Sequence, residues 1–547
     1  MKTKEIARRE FVRKIAAVAG ASFLTPGLLR GAAWLGQSTT AAAPTVEAKT
    51  TCGRLRGTKR DSGAMVFKGI PYAGSPAGAN RFKPPVPVKP WSGVRDALVY
   101  GPQSIQPHDP NMPPETVRTI TGEDCLVLNV WTPGVDNRRR PVMFYSHGGG
   151  FTTGNGGTET APGNAFHDGG ALAENYDVVV VTHNHRLGLL GSLYLGEILG
   201  EEYAGSGCAG MLDICAALRW VDDNIENFGG DPGNAMIFGE SGGGFKTSLL
   251  TAMPAAHGNF HKASVESGSL LKGMPKKQGT DMARAVLAKL GLSDATARKM
   301  HDVPAADLLA AQTDPKIAAG LGFSPVVDGR YIPSDPYDPV APAISKDIPM
   351  IVGTNKDEAV FFNMRNAEVF SMDEAGLKQR VTAMFGSKAV RVIEVYRGSR
   401  PGASPTDLYL AIQTAQIFWA NAVKMAERKA AQHAAPVFMY MFTYESNALA
   451  NENPPYPFKA AHAMEIAFKF DHPESQGLIG TNPERFQVAK NMSHAWAQFA
   501  RTGDPSFDDI PKWPVYSLDR RETMLINAEC KVVEDPLRAE RLLWQEL

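Results

Sequence analysis

A serine flanked by glycines is the clearest chemical feature of the chain: residues 239–243 read Gly-Glu-Ser-Gly-Gly, the spacing G-x-S-x-G. An apolar run at 235–238 precedes this segment and a helix-compatible run at 245–250 follows it, which predicts a sharp turn from a strand into a helix. Such a turn strains its central residue, and the flanking glycines remove side chains that would collide. The predicted chemistry is attack by the Ser241 hydroxyl, with the free amides of the following helix facing a developing oxyanion.

A glycine loop upstream could supply further donors to that oxyanion. The apolar run 141–146 leads directly into His147 and three consecutive glycines, 148–150. Because such glycines cost backbone entropy, they indicate close approach or unusual dihedrals. Together with the Gly242 amide, the loop predicts an oxyanion hole. A phosphate-binding loop is disfavoured, since neither G-K-[ST] nor G-x-G-x-x-G spacing is present.

A serine nucleophile needs a histidine base oriented by a carboxylate. Among the twelve histidines, His462 is favoured because it lies late in the chain, in a predicted loop after a strand that ends near residue 444. The other late histidines are His472 and His494, the second within a predicted helix that ends at residue 499, whereas His433 precedes the strand.

Two adjacent acidic residues are candidates for the orienting carboxylate. Asp357 and Glu358 follow the predicted strand 350–352, where catalytic groups of an α/β sheet are expected. Their position alone does not choose between them, and either could simply be a first-turn helix carboxylate.

The elements that must position these residues alternate between short apolar runs and helical segments. Predicted strands cover 141–146, 178–182, 235–238, 350–352 and 437–444, and predicted helices include 210–228 and 411–434. Consecutive apolar positions, rather than alternating ones, indicate a sheet covered on both faces. The sequence therefore predicts an α/β fold around a mostly parallel sheet.

Composition narrows the function classes. The 547 residues are 43% hydrophobic and 21% charged with a formal net charge of zero, so neither nucleic acid nor an anionic surface is an expected partner. No run of twenty apolar residues occurs, so stable membrane insertion is not expected. The five cysteines form no C-x-x-C pair, which argues against a metal framework.

The first 43 residues differ in kind from the rest. Arg8 and Arg9 precede a modest apolar region at 15–24, and three alanines follow at 41–43. This pattern resembles a bacterial twin-arginine export signal. We therefore expect residues 1–43 to be a signal peptide, 44–547 to be a single domain, and the protein to be exported to the periplasm or the exterior; the alternative is a basic tail.

Several further motifs occur in a fixed order and cover nearly everything after about residue 50; they lie at 67–73, 123–130, 147–151, 184–191, 218–221, 224–232, 325–329, 499–505 and 513–516. With these motifs the chain resembles the type-B carboxylesterase and cholinesterase-like lipase family of α/β-hydrolases, in particular its bacterial para-nitrobenzyl-esterase-like members.

The resemblance implies a role for each site residue. It makes Ser241 the nucleophile, Glu358 the acid and His462 the base, and it assigns Gly149, Gly150 and Gly242 to the oxyanion hole. Two supporting residues are implied as well: Glu240 would stabilise the imidazolium or form a structural salt bridge, and Ser267 would support the same network.

This chain departs from the family pattern at three positions. Gly242 replaces the usual alanine, which we expect to cost little because its amide is retained. Cys125 aligns with a disulfide half-cystine whose partner position, near 101–104, holds a serine, so a free thiol is expected. Cys208 stands where asparagine is common, and no function is assigned to it.

The implied activity is hydrolysis of small carboxylic esters through an acyl-enzyme, with no cofactor and no metal. An amidase or carbamate hydrolase on the same scaffold and a non-catalytic binding relative are the alternatives. The loop 152–160 and Phe361 and Phe362 are expected to line the substrate gorge. Oligomeric state, monomer or dimer, cannot be predicted from these residues.

Overall fold

The structure is a computed structural model that describes residues 44–107, 120–158, 167–315, 317, 323–475 and 477–547. The predicted signal segment 1–43 and the last two residues of the loop 152–160 lie outside these ranges.

Seventeen strands occur in the described residues, numbered here in chain order. They are β1 (Thr45–Thr50), β2 (Gly53–Lys59), β3 (Met65–Pro71), β4 (Val94–Asp96), β5 (Val127–Thr132), β6 (Arg140–Ser146), β7 (Val179–His183), β8 (Gly230–Glu240), β9 (Lys262–Glu266), β10 (Met274–Pro275), β11 (Val326–Val327), β12 (Met350–Asn355), β13 (Val437–Phe442), β14 (Ser446–Glu452), β15 (Pro455–Lys459), β16 (Glu522–Ile526) and β17 (Lys531–Glu534).

The α-helices of the described residues are numbered in the same way. They are α1 (Gly170–Tyr176), α2 (Gly188–Ser192), α3 (Gly196–Leu199), α4 (Ala209–Asn224), α5 (Gly242–Leu250), α6 (Lys276–Lys289), α7 (Ala305–Thr313), α8 (Ala359–Asn363), α9 (Ala367–Phe370), α10 (Glu374–Phe385), α11 (Ala389–Ser399), α12 (Pro405–Thr414), α13 (Ala420–Ala430), α14 (Glu465–Lys469), α15 (Arg485–Thr502) and α16 (Arg538–Glu546). Short 3₁₀ turns cover Gly78–Asn80, Glu201–Tyr203, Ser206–Cys208, Ile225–Phe228, Pro254–Ala256, Asp294–His301, Ala343–Ser345, Gly386–Lys388 and Gly477–Ile479.

One large sheet organises the fold, in the strand order β1-β2-β3-β5-β7-β6-β8-β9-β12-β13-β16-β17, with β4 beside β2. The successive pairs from β7 to β16 are parallel, whereas the pairs among β1, β2, β3, β5 and β7 and the β16–β17 pair are antiparallel. Every residue of β6, β7, β12 and β13 is buried, as the consecutive apolar runs predict for a doubly covered sheet. The predicted α/β-hydrolase fold with a mostly parallel sheet is confirmed.

The predicted elements are largely present, with shifted bounds. The strand predicted at 235–238 begins earlier, at Gly230, and the strand predicted to reach residue 444 ends at Phe442. The single helix predicted over 411–434 is three pieces, because a π-helical turn, Ala415–Trp419, joins α12 to α13.

The main hydrophobic core surrounds the sheet, and a second cluster gathers around α6 and α7. Of the helices in the described ranges, none combines the length and apolarity that crossing a membrane requires.

Candidate active site

Ser241 sits at a strained turn between β8 and α5. Its backbone has φ 57° and ψ −120°, a region that non-glycine residues rarely adopt. The Ser241 amide donates to the Glu266 carbonyl oxygen at 2.9 Å, and the Ser241 carbonyl accepts from the Phe245 amide at 3.0 Å. The strand–turn–helix context that the motif predicts is therefore present.

The glycine loop packs directly against this turn, because β6 and β8 are neighbours in the sheet. A Cβ added to Gly148 would lie 3.3 Å from Glu240 Oε2 and 3.5 Å from Ser241 Cβ. The backbone N–H groups of Gly149, Gly150 and Gly242 donate to no acceptor within the described residues. Gly242 follows Ser241 directly, and the Gly150 nitrogen packs against it, since a Cβ on Gly242 would lie 2.3 Å from that atom.

Gly242 lies where this chain leaves no room for the alanine that is usual in the family. A Cβ at this position would lie 2.3 Å from both the amide nitrogen and the carbonyl oxygen of Gly150, far inside van der Waals contact. The loop backbone therefore occupies the space that a methyl group would need, so glycine suits this position; that the missing alanine costs little stays a prediction.

His462 and Glu358 meet at the carboxyl edge of the sheet. Their side chains join through His462 Nδ1 and Glu358 Oε2, 2.6 Å apart. Glu358 follows β12, and its other oxygen, Oε1, accepts from the Ser267 hydroxyl at 2.5 Å and from the Asn355 amide at 2.7 Å. These donors fix the carboxylate so that it orients the imidazole.

The alternative residues that the sequence leaves open make different contacts. The Asp357 carboxylate accepts from the Ala460 amide at 3.4 Å and has no contact with the imidazole of His462. His472 binds the Asp168 carbonyl at 2.8 Å, His494 stacks on Phe507, and His433 is exposed.

His462 lies beyond an element that the sequence did not predict. Between β13 and His462 runs the antiparallel β14–β15 hairpin, which carries the chain out of the sheet and back. In sequence, strands Ser446–Glu452 and Pro455–Lys459 lack a long apolar run, so hydrophobic periodicity gave no signal for them.

The second nitrogen of His462 faces a carboxylate rather than the serine. His462 Nε2 lies 3.2 Å from Glu240 Oε1, and in the described part of the chain the Ser241 hydroxyl has no hydrogen-bond partner. Burial by itself would lower the pKa of His462, but the charges of Glu240 and Glu358 raise it to about 9. Burial raises the pKa of Glu240 as well, against the influence of His462.

Three phenylalanines enclose the imidazole. The Phe418 ring stacks on His462 with centroids 4.7 Å apart and an interplanar angle of 17°, while the Phe362 and Phe361 centroids lie at 4.8 and 5.7 Å. The predicted lining residues Phe361 and Phe362 are thus beside His462. On the other side of the site, Phe151 stacks against Phe245 at 6.3 Å.

A chain of buried polar groups continues behind the Glu358 carboxylate. The Asn355 side-chain amide donates to the Ala461 carbonyl at 2.8 Å and to Glu465 Oε2 at 2.5 Å. Burial raises the pKa of Glu465 to about 7, opposed by Lys469.

Lys469 lies at the far end of these buried polar groups, 3.9 Å from Glu465. Its ammonium donates to Glu266 Oε2, and Glu266 Oε1 accepts from the Trp496 indole at 2.6 Å. No sequence motif points to Lys469 or Glu465; their only signal is spacing, since they lie seven and three residues after His462.

No disulfide is present: all five cysteines are free. Cys125 is buried, and Ser104, the serine that the sequence places at the missing partner position, lies near enough to its thiol to lower the pKa against the effect of burial. The free thiol expected at Cys125 is confirmed.

The sharp strand–helix turn, the glycine loop and the buried Glu358–His462 pair define an α/β-hydrolase of the serine-hydrolase class. The chain belongs to the carboxylesterase family, whose model matches residues 42–544. It is therefore a carboxylic ester hydrolase.

The chain is similar to known esterases and hydrolases over nearly its whole length. The chain is 36% identical to the para-nitrobenzyl esterase of Bacillus subtilis, covering 90% of this chain and 97% of that protein. It is 31% identical to the phenmedipham hydrolase of Pseudarthrobacter oxydans, covering 90% and 98%. The solved carboxylesterase of Geobacillus stearothermophilus superposes with a TM-score of 0.79 at 37% identity, covering 91% of this chain and all of that one.

Proposed function

We propose that Ser241, Glu358 and His462 carry out the ester hydrolysis, with the amides of Gly149, Gly150 and Gly242 as the oxyanion hole. The observation that carries the assignment is the 2.6 Å contact between Glu358 and His462 Nδ1, because it orients the other nitrogen toward the Glu240–Ser241 turn. Glu240 and Ser267 act as supporting groups.

The proposed mechanism has two halves. Neutral His462 takes the Ser241 proton as the oxygen attacks the ester carbonyl, and the three amides hold the oxyanion, each contributing about 3 kcal/mol. His462 then protonates the leaving alcohol, and water attacks the acyl-enzyme with the same imidazole as base. Since Nε2 lies 3.2 Å from Glu240 Oε1, the imidazole must exchange this contact for Ser241 at the start of each cycle.

Replacement of the nucleophile tests the assignment. Ser241→Ala should abolish hydrolysis of p-nitrophenyl acetate and labelling by a fluorophosphonate while leaving the thermal midpoint near that of the wild type. Residual labelling at another serine, or retained turnover, would overturn it. Labelling of the wild type also separates an enzyme from a non-catalytic binding relative.

For the substrate we propose esters with apolar groups on both sides of the carbonyl. Phe361, Phe362 and Phe418 surround the base, and Phe151 and Phe245 flank the glycine loop and α5. Burial of apolar substrate surface against these rings favours binding by about 25 cal/mol per Å². A series of p-nitrophenyl esters should show KM falling as the acyl chain lengthens from acetate to butyrate; no trend would contradict this.

Amides and carbamates remain the second candidate substrates, because the same triad chemistry serves them with a poorer leaving group. Matched esters and amides of one acid and one aryl leaving group decide between them. We expect kcat/KM to favour the ester by more than tenfold; equal values would favour the amidase.

We further propose export through a twin-arginine signal in residues 1–43, supported by Arg8 and Arg9 and the alanines at 41–43. With both Arg8→Lys and Arg9→Lys, the full-length precursor should accumulate in the cytoplasm of a bacterial host, whereas Arg13→Lys should be exported normally. Equal export of both variants would refute the signal.

A further inference from the structure

A buried lysine lies one helical turn beyond the candidate nucleophile. Lys246, on α5, has no exposed surface, and its Nζ donates to the His147 carbonyl oxygen at 2.8 Å. Within the described residues no carboxylate lies close enough to form an ion pair with it. Burial holds the pKa of Lys246 well below its usual value, and as amine or as ammonium it still donates N–H.

Three histidines lie near this lysine, and one of them, His147, begins the glycine loop. The His147 and His185 rings stack with centroids 4.8 Å apart, and His183 lies 5.4 Å from His185. Burial, and then Lys246, lowers the pKa of each imidazole, so the cluster holds little positive charge near neutral pH. No trio of ligating side chains in the described ranges is arranged to hold a metal ion.

The hydrogen bond of Lys246 controls the orientation of a particular peptide. The His147 carbonyl and the Gly148 amide belong to one planar unit, so a donor that fixes the carbonyl oxygen also fixes the start of the glycine loop. Gly148, which has no Cβ, would otherwise have wide conformational freedom. Farther along, the loop is held by local turns from the Thr152 and Thr153 amides to the Gly149 carbonyl, at 3.3 and 3.1 Å, and by the Gly188 amide, which donates to the Phe151 carbonyl at 2.8 Å.

Lys246 also joins the two parts of the proposed oxyanion hole. It belongs to α5, whose first residue is Gly242, and it binds the loop that carries Gly149 and Gly150. We propose that Lys246 is a positioning residue that holds the glycine loop in register with α5, so that amides from both meet at one oxyanion. This inference rests on the proposed function of Ser241 and the three glycines.

The test replaces Lys246 by methionine, which has similar length but no donor. The concentration of active sites is first determined by titration with a fluorophosphonate. Two properties are then measured separately: kcat and KM for p-nitrophenyl acetate, and the inhibition constant of an aryl trifluoromethyl ketone. This ketone forms a tetrahedral adduct whose oxygen occupies the oxyanion hole. Lys246→Met should lose about 10- to 100-fold in kcat, less than the full loss of one oxyanion donor, keep KM within about twofold, and bind the ketone more weakly by a similar factor.

Lys429 supplies a matched control. It is a second buried lysine that donates to backbone carbonyls, those of Ser345 at 2.8 Å and Lys346 at 2.7 Å, but it lies on α13 and contacts none of the site residues. Lys429→Met should lower the thermal midpoint yet leave kcat, KM and ketone affinity unchanged. Equal effects of the two lysine variants on all three parameters would overturn the proposal.

A second variant keeps the test decisive if the methionine variant does not fold. Lys246→Gln keeps a polar end among the histidines and retracts the donor by about 1.5 Å, so kcat and ketone affinity should again fall together at constant KM. A folded Lys246→Gln or Lys246→Met with wild-type kcat and ketone affinity would refute the positioning role. Activity in Ser241→Ala would instead refute the proposed function on which that role rests.

Discussion

His462 Nε2 lies 3.2 Å from Glu240 Oε1, so the imidazole of the resting site is held between two carboxylates, one at each nitrogen. Glu358 is bound to Nδ1 at 2.6 Å. With the more distant Glu465, these carboxylates raise the pKa of His462 to about 9 against the opposing influence of burial. A base with a raised pKa is strong when neutral, but it is mostly protonated at pH 7 and then cannot accept the Ser241 proton.

The pH profile follows from this arrangement. Because only neutral His462 accepts a proton, kcat/KM should rise with pH up to about 9. Glu240→Gln removes one negative charge, which favours the neutral imidazole, so the apparent pKa should fall by about one unit or more. The plateau should also fall, about tenfold, because the imidazolium of the transition state loses a stabilising charge.

The profile is measured with a p-nitrophenyl ester between pH 6 and 10, corrected for spontaneous hydrolysis. Glu445→Gln is the matched control, since this carboxylate is exposed and binds Lys356 at 2.8 Å away from His462. An identical apparent pKa in the wild type and Glu240→Gln would show that Glu240 does not act on the base.

Gly242→Ala should impair catalysis, although alanine is the family's usual residue there. The added methyl group would lie 2.3 Å from the Gly150 amide nitrogen and carbonyl oxygen, so the loop must move away from α5 and its amides lose their alignment. We expect kcat to fall about 10- to 100-fold with little change in KM, in line with partial loss of oxyanion donors.

Gly398→Ala is the control for this substitution. Gly398 lies within α11, and no atom lies within 4 Å of its added Cβ, so alanine should stabilise the helix by about 0.5–1 kcal/mol with unchanged kcat. Full activity of Gly242→Ala would mean that the glycine loop can move away from the methyl group without any loss of kcat.

The sequence predicts the site residues that stand in local motifs better than those that are far apart in the chain. Ser241 and the glycine loop stand at strand ends with local motifs, and parallel strands bring such ends to one edge. His462 was ranked by its order in the chain, and Glu358 was separated from Asp357 only by resemblance; the hydrogen bonds of Glu358 to Ser267 and Asn355 supply the physical reason.

Other features depend on contacts that no local pattern reveals. Lysines in helices usually face solvent, yet Lys246 and Lys469 are fully buried, because each meets an acceptor from a distant part of the chain. The close approach of Gly150 to Gly242 likewise joins residues about ninety positions apart. Burial of charge and backbone proximity are tertiary properties, so composition and periodicity cannot give them.

Lys469→Met should destabilise the protein strongly. The lysine has no exposed surface and binds Glu266, and it lies 3.9 Å from Glu465, so its removal leaves buried carboxylates without a compensating cation. Breaking such a buried pair costs about 3–5 kcal/mol. Urea unfolding followed by tryptophan fluorescence should show a lower midpoint.

An exposed-pair control and a double variant show whether the loss of stability comes from the stranded buried charges. Lys277→Met breaks an exposed pair with Asp281 and should change the unfolding free energy by less than about 1 kcal/mol. Adding Glu266→Gln to Lys469→Met removes one of the stranded charges and should recover part of the loss. A Lys469→Met protein as stable as the wild type would show that these carboxylates take up protons at little cost.

The cysteines should react with a thiol reagent in two distinct populations. Four of the five are buried and Cys52 is partly exposed. Burial raises the pKa of Cys125 and of Cys215 to about 12, so these thiols are protonated and shielded, and the thiolate is the reactive form. At pH 8 Ellman's reagent should therefore titrate at most one thiol in the native protein and all five in urea without prior reduction. Fewer than five reactive thiols in urea would reveal a disulfide. Cys52→Ser should abolish the reaction of the native protein. If the native signal persisted in that variant, a buried thiol would have to become accessible through local opening of the fold.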